Sequence, residues 1–178
     1  MRWDTRLQAL FEDLEQQAAG LSLAERDSEV AELRRAEYAG VDLAGRLRAS
    51  VGARLVVEVT GVGIVEGDLH RVGQGWLLLG AVQDWVVATA ALGSVRGLPD
   101  RVVAGPAPVE GRLGLGSVLR GLAIARSEVV VHRADGRSTR GTLGRIGADF
   151  VEVGTAEVGR HLPTEAVPFT AIAAVRSC

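Results

Sequence analysis

Apolar side chains fall on alternate positions between residues 55 and 59: Leu55, Val57 and Val59, with Val56 and Glu58 between them. A period of two predicts a β-strand with one face buried. Gly61 and Gly63 mark a turn after it. Residues 64–72, 76–79 and 85–88 read as further strands, with a short fifth inside 93–97. Upstream the period becomes helical. Leu7, Leu10, Phe11, Leu14 and Ala18 share one face behind Asp4 as N-cap, and Gly20 stops the run. Ser22 and Glu25 form a capping box that opens a second helix to about residue 39, with Val30, Leu33 and Ala36 at helical spacing before Gly40. So short a connection predicts an antiparallel helical hairpin over residues 1–41. Its apolar stripe packs on the rest of the chain, in a dimer, or on another protein. Asp42 then caps a short helix, residues 43–50, with Leu43 and Leu47 facing inward.

The pattern then restarts. Residues 99–116 carry three of the five prolines and several glycines, and read as a linker. Ser117 caps a second short helix, a strand follows at 129–131, and Asp135-Gly136 signals a hairpin turn. Strands at 141–146, 150–153, 166–169 and 172–176 complete a second set of five. The two sets match residue by residue. Gly67, Leu69, Arg71, Val72, Gly73 and Gly80 meet Gly141, Leu143, Arg145, Ile146, Gly147 and Gly154 at an offset of 74, and Trp76 meets Phe150. Leu47-Arg48 meets Leu119-Arg120 at 72, and Ala91, Leu92, Val95 and Arg96 meet Ala171, Ile172, Val175 and Arg176 at 80. The six residues gained between the last two offsets lie in a longer loop at 155–165. A period of this length is too long for a solenoid and implies a duplicated domain.

A short helix followed by five strands, with Gly67-x-Leu69 and Gly141-x-Leu143 opening a bent second strand, resembles the Sm-like fold over residues 42–98 and 117–178. Val95-Arg96-Gly97 looks like the family's second motif, and Val175-Arg176-Ser177 is a weaker copy. The expected architecture is mainly β with α. A helical hairpin (1–41) precedes two tandem five-stranded Sm-like or SH3-like small barrels, each with its own short helix, joined by the linker 99–116. The resemblance implies single-stranded RNA as ligand and homo-oligomers joined through barrel strand edges. The chain departs from the family at the polar reader positions, which hold Trp76-Leu77-Leu78 and Phe150-Val151-Glu152, and it contains no Asn. The resemblance therefore implies the fold without the family's RNA pocket.

Composition sharpens this picture at a few points. Aromatics are 4% of the chain, so the core must be aliphatic. All 20 basic residues are Arg, which together with the abundance of Ala, Gly and Val suggests a GC-rich bacterial coding bias and weakens Arg richness as a sign of phosphate binding. The net charge of −2 excludes a globally basic nucleic-acid footprint. The single cysteine, Cys178, leaves no disulfide framework and no Cys-based metal site. The first residues are acidic and periodic, unlike a signal peptide, and no apolar run approaches the roughly 20 residues of a membrane span. A soluble cytoplasmic protein is expected.

The strongest polar cluster is Arg126, Arg133, Arg137, Arg140 and Arg145, opposed by Glu128 and Asp135, with His132 beside it. On the first hairpin of a barrel these arginines could meet phosphate, or they could be solvated strand edges. His70, His132 and His161 lack metal-ligand spacing. No nucleophile–base constellation appears, so no cofactor, metal or catalytic residue is expected. The functional expectation is a non-catalytic intracellular adaptor or regulator, RNA-associated through those five arginines. The alternative is a protein–protein scaffold without a nucleic-acid ligand, binding through residues 1–41.

Overall fold

The computed structural model describes residues 32, 33, 35, 36, 38–103, 111, 113–154, 156, 157, 160, 161 and 164–178. The chain divides into two units, Met1–Asp42 and Leu43–Cys178. In the first, the described residues between 32 and 39 are helical, and the Val41 N–H donates to the Tyr38 carbonyl just after them. The rest of the expected helical hairpin lies outside the described residues.

The second unit is mainly β. Its first copy comprises α1 (Leu43–Ala49), β1 (Arg54–Val59), β2 (Gly63–Gly73), β3 (Trp76–Gly80), β4 (Trp85–Ala88) and, after a 3-10 turn, β5 (Leu92–Arg96). The second copy comprises α2 (Leu115–Ile124), β6 (Glu128–Arg133), β7 (Ser138–Ile146), β8 (Phe150–Gly154), a small hairpin of β9 (Ala156–Glu157) and β10 (Arg160–His161), β11 (Glu165–Pro168) and, after another 3-10 turn, β12 (Ile172–Ser177). No helix of the described residues is long and apolar enough to cross a membrane.

Ten strands form one antiparallel sheet in the order β11-β8-β7-β6-β12-β4-β3-β2-β1-β5. Each copy contributes the same local order, fifth-first-second-third-fourth. The sheet is not closed. It runs through both copies where two separate five-stranded units were expected, because β12 pairs with β4, placing Ala174, Val175 and Arg176 opposite Val87, Val86 and Trp85. An unpaired strand edge leaves backbone donors and acceptors unsatisfied, and here one copy's edge satisfies the other's. The ten-stranded sheet keeps two outer edges, β11 and β5.

The duplication extends to the irregularities. Between Leu69 and Arg71, β2 takes one extra residue against β3, and between Leu143 and Ile146, β7 does the same against β8. A second irregularity lies at the start of each fifth strand, between β1 and β5 and between β6 and β12. Bulges bend a strand and raise its twist, so each copy curls in the same two places. The repeated Gly73 and Gly147 have a steric cause. A Cβ on either would collide with the ring of Trp76 or Phe150, the matched aromatics that fold back over the bulged strand.

The alternation read from β1 holds: Leu55, Val57 and Val59 are buried. Leu47 and Leu119, at matching helix positions, are both fully buried. Two hydrophobic cores result, and each borrows from the other copy. Ala173 and Ala174 of β12 join the first core, whereas Trp76 and Val86 of the first copy join the second. Two sequence expectations fail. Leu43 is 47% exposed, because only the Leu47 side of a two-turn helix reaches the sheet. Ser117 is not a cap: α2 starts at Leu115 behind Gly114, without a side-chain cap, and the Ser117 N–H donates to the Gly114 carbonyl.

Candidate functional site

The five arginines singled out by sequence are distributed along the β6–β7 hairpin and its neighbours. Arg133 closes β6, donates to the Glu165 carboxylate of β11 and lies 3.7 Å from Asp135. Thr139 Oγ1 donates to the same Glu165 at 2.9 Å. Arg137 lies 3.9 Å from Asp135, which also accepts the Arg137 backbone N–H and so shapes the turn. Arg140 donates through Nε and Nη2 to both Glu128 oxygens at 3.0 Å. Arg145 donates to both Glu152 oxygens at 3.0 and 2.9 Å. Arg126 stands apart, at the other end of β6, with φ +50° just beyond α2 and no ion pair among the described residues. Four of the five are therefore matched with carboxylates, and a phosphate would have to compete with partners already in place. Hydrogen bonding from Arg140, and then its charge, holds the Glu128 carboxyl below its ordinary value. The same pairings raise the pKa of Arg140 and Arg145.

The Arg140–Glu128 pair has a counterpart in the first copy with its charges exchanged. Arg54 donates to Glu66 at 2.9 Å, and positions 54 and 66 lie 74 residues before 128 and 140. The strand registers match as well: Val57 faces Val65 as Val131 faces Thr139. Arg140 thus holds a cross-strand position that the first copy gives to an acid.

Arg71 matches Arg145 but not its pairing. Glu152, the partner of Arg145, corresponds to Leu78. Arg71 is exposed, with no hydrogen bond or ion pair among the described residues. Sequence reading aligned Arg71 with Arg145 yet nominated only Arg145. The signal was there in the acid at 152 and the leucine at 78.

Two cavities lie beside Arg71. One of about 440 Å³ is lined by Arg48, Val51, His70, Arg71, Val72, Val103 and Gly111. The other, about 480 Å³, lies where α2 and the linker face the joined sheet. Trp76, Leu78, Leu113, Val118, Leu122 and Val175 make most of its wall. Trp76 Nε1 donates to the Leu113 carbonyl at 2.7 Å, and the Gln74 N–H donates to the same oxygen at 3.1 Å, so the linker end is pinned to the first copy.

On the strand junction, Trp85 of β4 stacks on His132 of β6 at 5.4 Å between centroids, and the Arg176 guanidinium lies 5.6 Å from the Trp85 ring. Arg176 also donates to Gln83 at 2.8 Å. Burial, and then the Arg176 charge, pushes the His132 pKa down, so its imidazole is neutral at pH 7. Compared with protein-family models and with curated proteins, the chain matches none.

Proposed function

We propose that this protein is a non-catalytic scaffold built from two tandem Sm-like barrels, and that its strand edges, rather than a nucleic-acid pocket, make its main contacts. The observation that carries this reading is the β4–β12 junction, a strand-to-strand contact between copies that leaves the outer edges of β5 and β11 open. The carboxylate pairing of Arg133, Arg137, Arg140 and Arg145 favours it over single-stranded RNA as the ligand.

A second copy of the chain fits those edges. β11 lies 80 positions after β4, and β5 lies 80 before the matching part of β12. Transferring the internal register sets Val167, Ala166 and Glu165 opposite Ser94, Val95 and Arg96 of the next molecule. The charged ends then oppose with complementary sign, Arg96 sharing the Glu165 carboxylate with Arg133 and Thr139. Arg96 has no ion pair among the described residues. Because the Ser177 N–H faces β4, alternation sends the Val175 N–H the same way, and Val95 stands in that place on β5. Such a head-to-tail contact is heterologous and builds rings or filaments.

Light scattering on a sizing column tests this. The native chain is expected to run as a multiple of 18.7 kDa. Val95→Pro and Ala166→Pro each block one edge, and each should run as a single chain. Mixed, they retain one intact pair and should form a two-chain species. Native protein running as one chain, or variants that fail to recombine while their circular dichroism is unchanged, overturns the edge contact. Anisotropy of labelled single-stranded RNA at low and high salt tests the other ligand. Salt-sensitive binding lost on changing Arg133, Arg137 and Arg140 to Ala would restore RNA in its place.

A further inference from the structure

Arg71 is the position at which the duplication stops being symmetric in its chemistry. In the second copy the matching Arg145 is neutralised by Glu152 across the β7–β8 pair. In the first copy the bulge at His70 re-aims β2, Arg71 comes to face Leu78, and the guanidinium has no carboxylate among the described residues. It lines both cavities described above. One has three basic side chains, Arg48, His70 and Arg71, among its described lining residues. The other is walled mostly by apolar side chains from both copies, with the Trp76 indole N–H already satisfied.

From this pairing of a basic cavity with an apolar one, we propose that the groove between α2 and the joined sheet binds one soluble amphipathic anion per chain, an oxyanion head group on an alkyl-sized apolar body. The head sits against Arg71, with His70 lining the same cavity. The body lies along Trp76, Leu78, Leu113 and Leu122. Asp84 lines only the apolar cavity, so repulsion directs the head to the other side. A volume of about 480 Å³ is in the range of small-molecule sites, and too small for a folded partner. Copy two cannot form the same site, since Glu152 stands where Leu78 does and already holds the arginine.

Decyl phosphate, kept below its micelle concentration, is the probe. Calorimetry on the full chain should show saturation at one molecule per chain, with a change in tryptophan fluorescence from Trp76. Arg71→Gln should weaken binding about tenfold or more, whereas Arg145→Gln should leave it unchanged. Decanol should bind at least as weakly as decyl phosphate binds the Arg71→Gln variant, inorganic phosphate should show no saturation, and Val118→Trp should block the apolar end. Equal affinity in Arg71→Gln and native protein overturns the proposal. So does uptake of many molecules without saturation, which is surfactant behaviour. Recovery of the protein on vesicles carrying phosphatidic acid, without binding of the monomeric probe, would overturn it in favour of a membrane surface.

Discussion

The two copies of this protein hold an ion pair in the same place with the charges exchanged: Arg54 with Glu66 in the first, Glu128 with Arg140 in the second. What the duplication kept there is the cross-strand pairing, not the sign of either residue. The matched arginines 71 and 145 show the opposite case, in which both residues are Arg but only the second has its acid. A repeated charge that keeps its partner is part of the sheet, and one that has lost its partner is free for a ligand. By that standard four arginines of the second copy's hairpin have their partners within the sheet, and the cation to watch is in the first.

The comparison can be broken most forcefully in the cores. Leu69 and Leu143 occupy matching buried positions. Leu69→Ala and Leu143→Ala should each cost about 2–5 kcal/mol in denaturant unfolding. Since each core includes residues of the other copy, both variants should move one common transition. Two separate transitions, each moved by one variant only, would mean that the copies fold independently.

The turns offer a sharper contrast. Gly61 has φ +75°, and a Cβ there would run into the backbone carbonyls of Arg133 and Ala134 in the second copy. Gly136 has φ +85° but faces open space. Gly136→Ala should cost about 1–2 kcal/mol from backbone strain alone. Gly61→Ala should cost a further ~1–3 kcal/mol, because it also presses the junction apart. Equal costs in thermal unfolding would remove the close approach at Gly61 from the account.

His132 makes the junction pH-sensitive. Its folded pKa is depressed, so the unfolded chain takes up the proton first as pH falls. Stability contributed by the neutral imidazole is complete above the ordinary histidine value near 6.5 and is lost as pH drops from there toward the lower folded value. Stability measured from pH 7.5 to 5 should decline in native protein, and His132→Phe should flatten that part of the curve. An unchanged slope would assign the decline to other groups.

The smallest effect is expected at the exchanged ion pairs. Both are exposed, and exposed pairs contribute little. The double variant Glu128→Arg with Arg140→Glu gives the second copy the first copy's arrangement and should leave the unfolding midpoint unchanged. Glu128→Arg alone puts two like charges on one diagonal and should lower it slightly. A large loss in the double variant would show that sign matters at that site after all.

Most of the strand boundaries were legible in the residues, because alternation and turn glycines act locally. Trp85–Ala88 was read without error, and the offsets 74 and 80 became shared registers. Ser117 misled because a serine before an apolar run has the look of a cap, while Gly114 three residues earlier starts the turn. Leu43 misled because a helix of two turns buries only one side. The arginine cluster is a different case, because its pairing was not legible along the chain. Its partners Glu165 and Glu152 lie 32 and 7 residues from Arg133 and Arg145, so linear proximity among arginines hid their pairing with carboxylates on neighbouring strands.

By itself the sequence determined the duplication, the order of short strands, the glycines beneath the aromatics and the aliphatic core, since each depends on neighbours a few residues away or on comparison of one copy with the other. Tertiary structure alone decided that β4 and β12 join the copies into one open sheet, that the two cores exchange residues, and that Arg71 stands free between two cavities. Those outcomes depend on which edges meet and which side chains face across strands, and contacts between positions nearly a hundred residues apart leave no period along the chain.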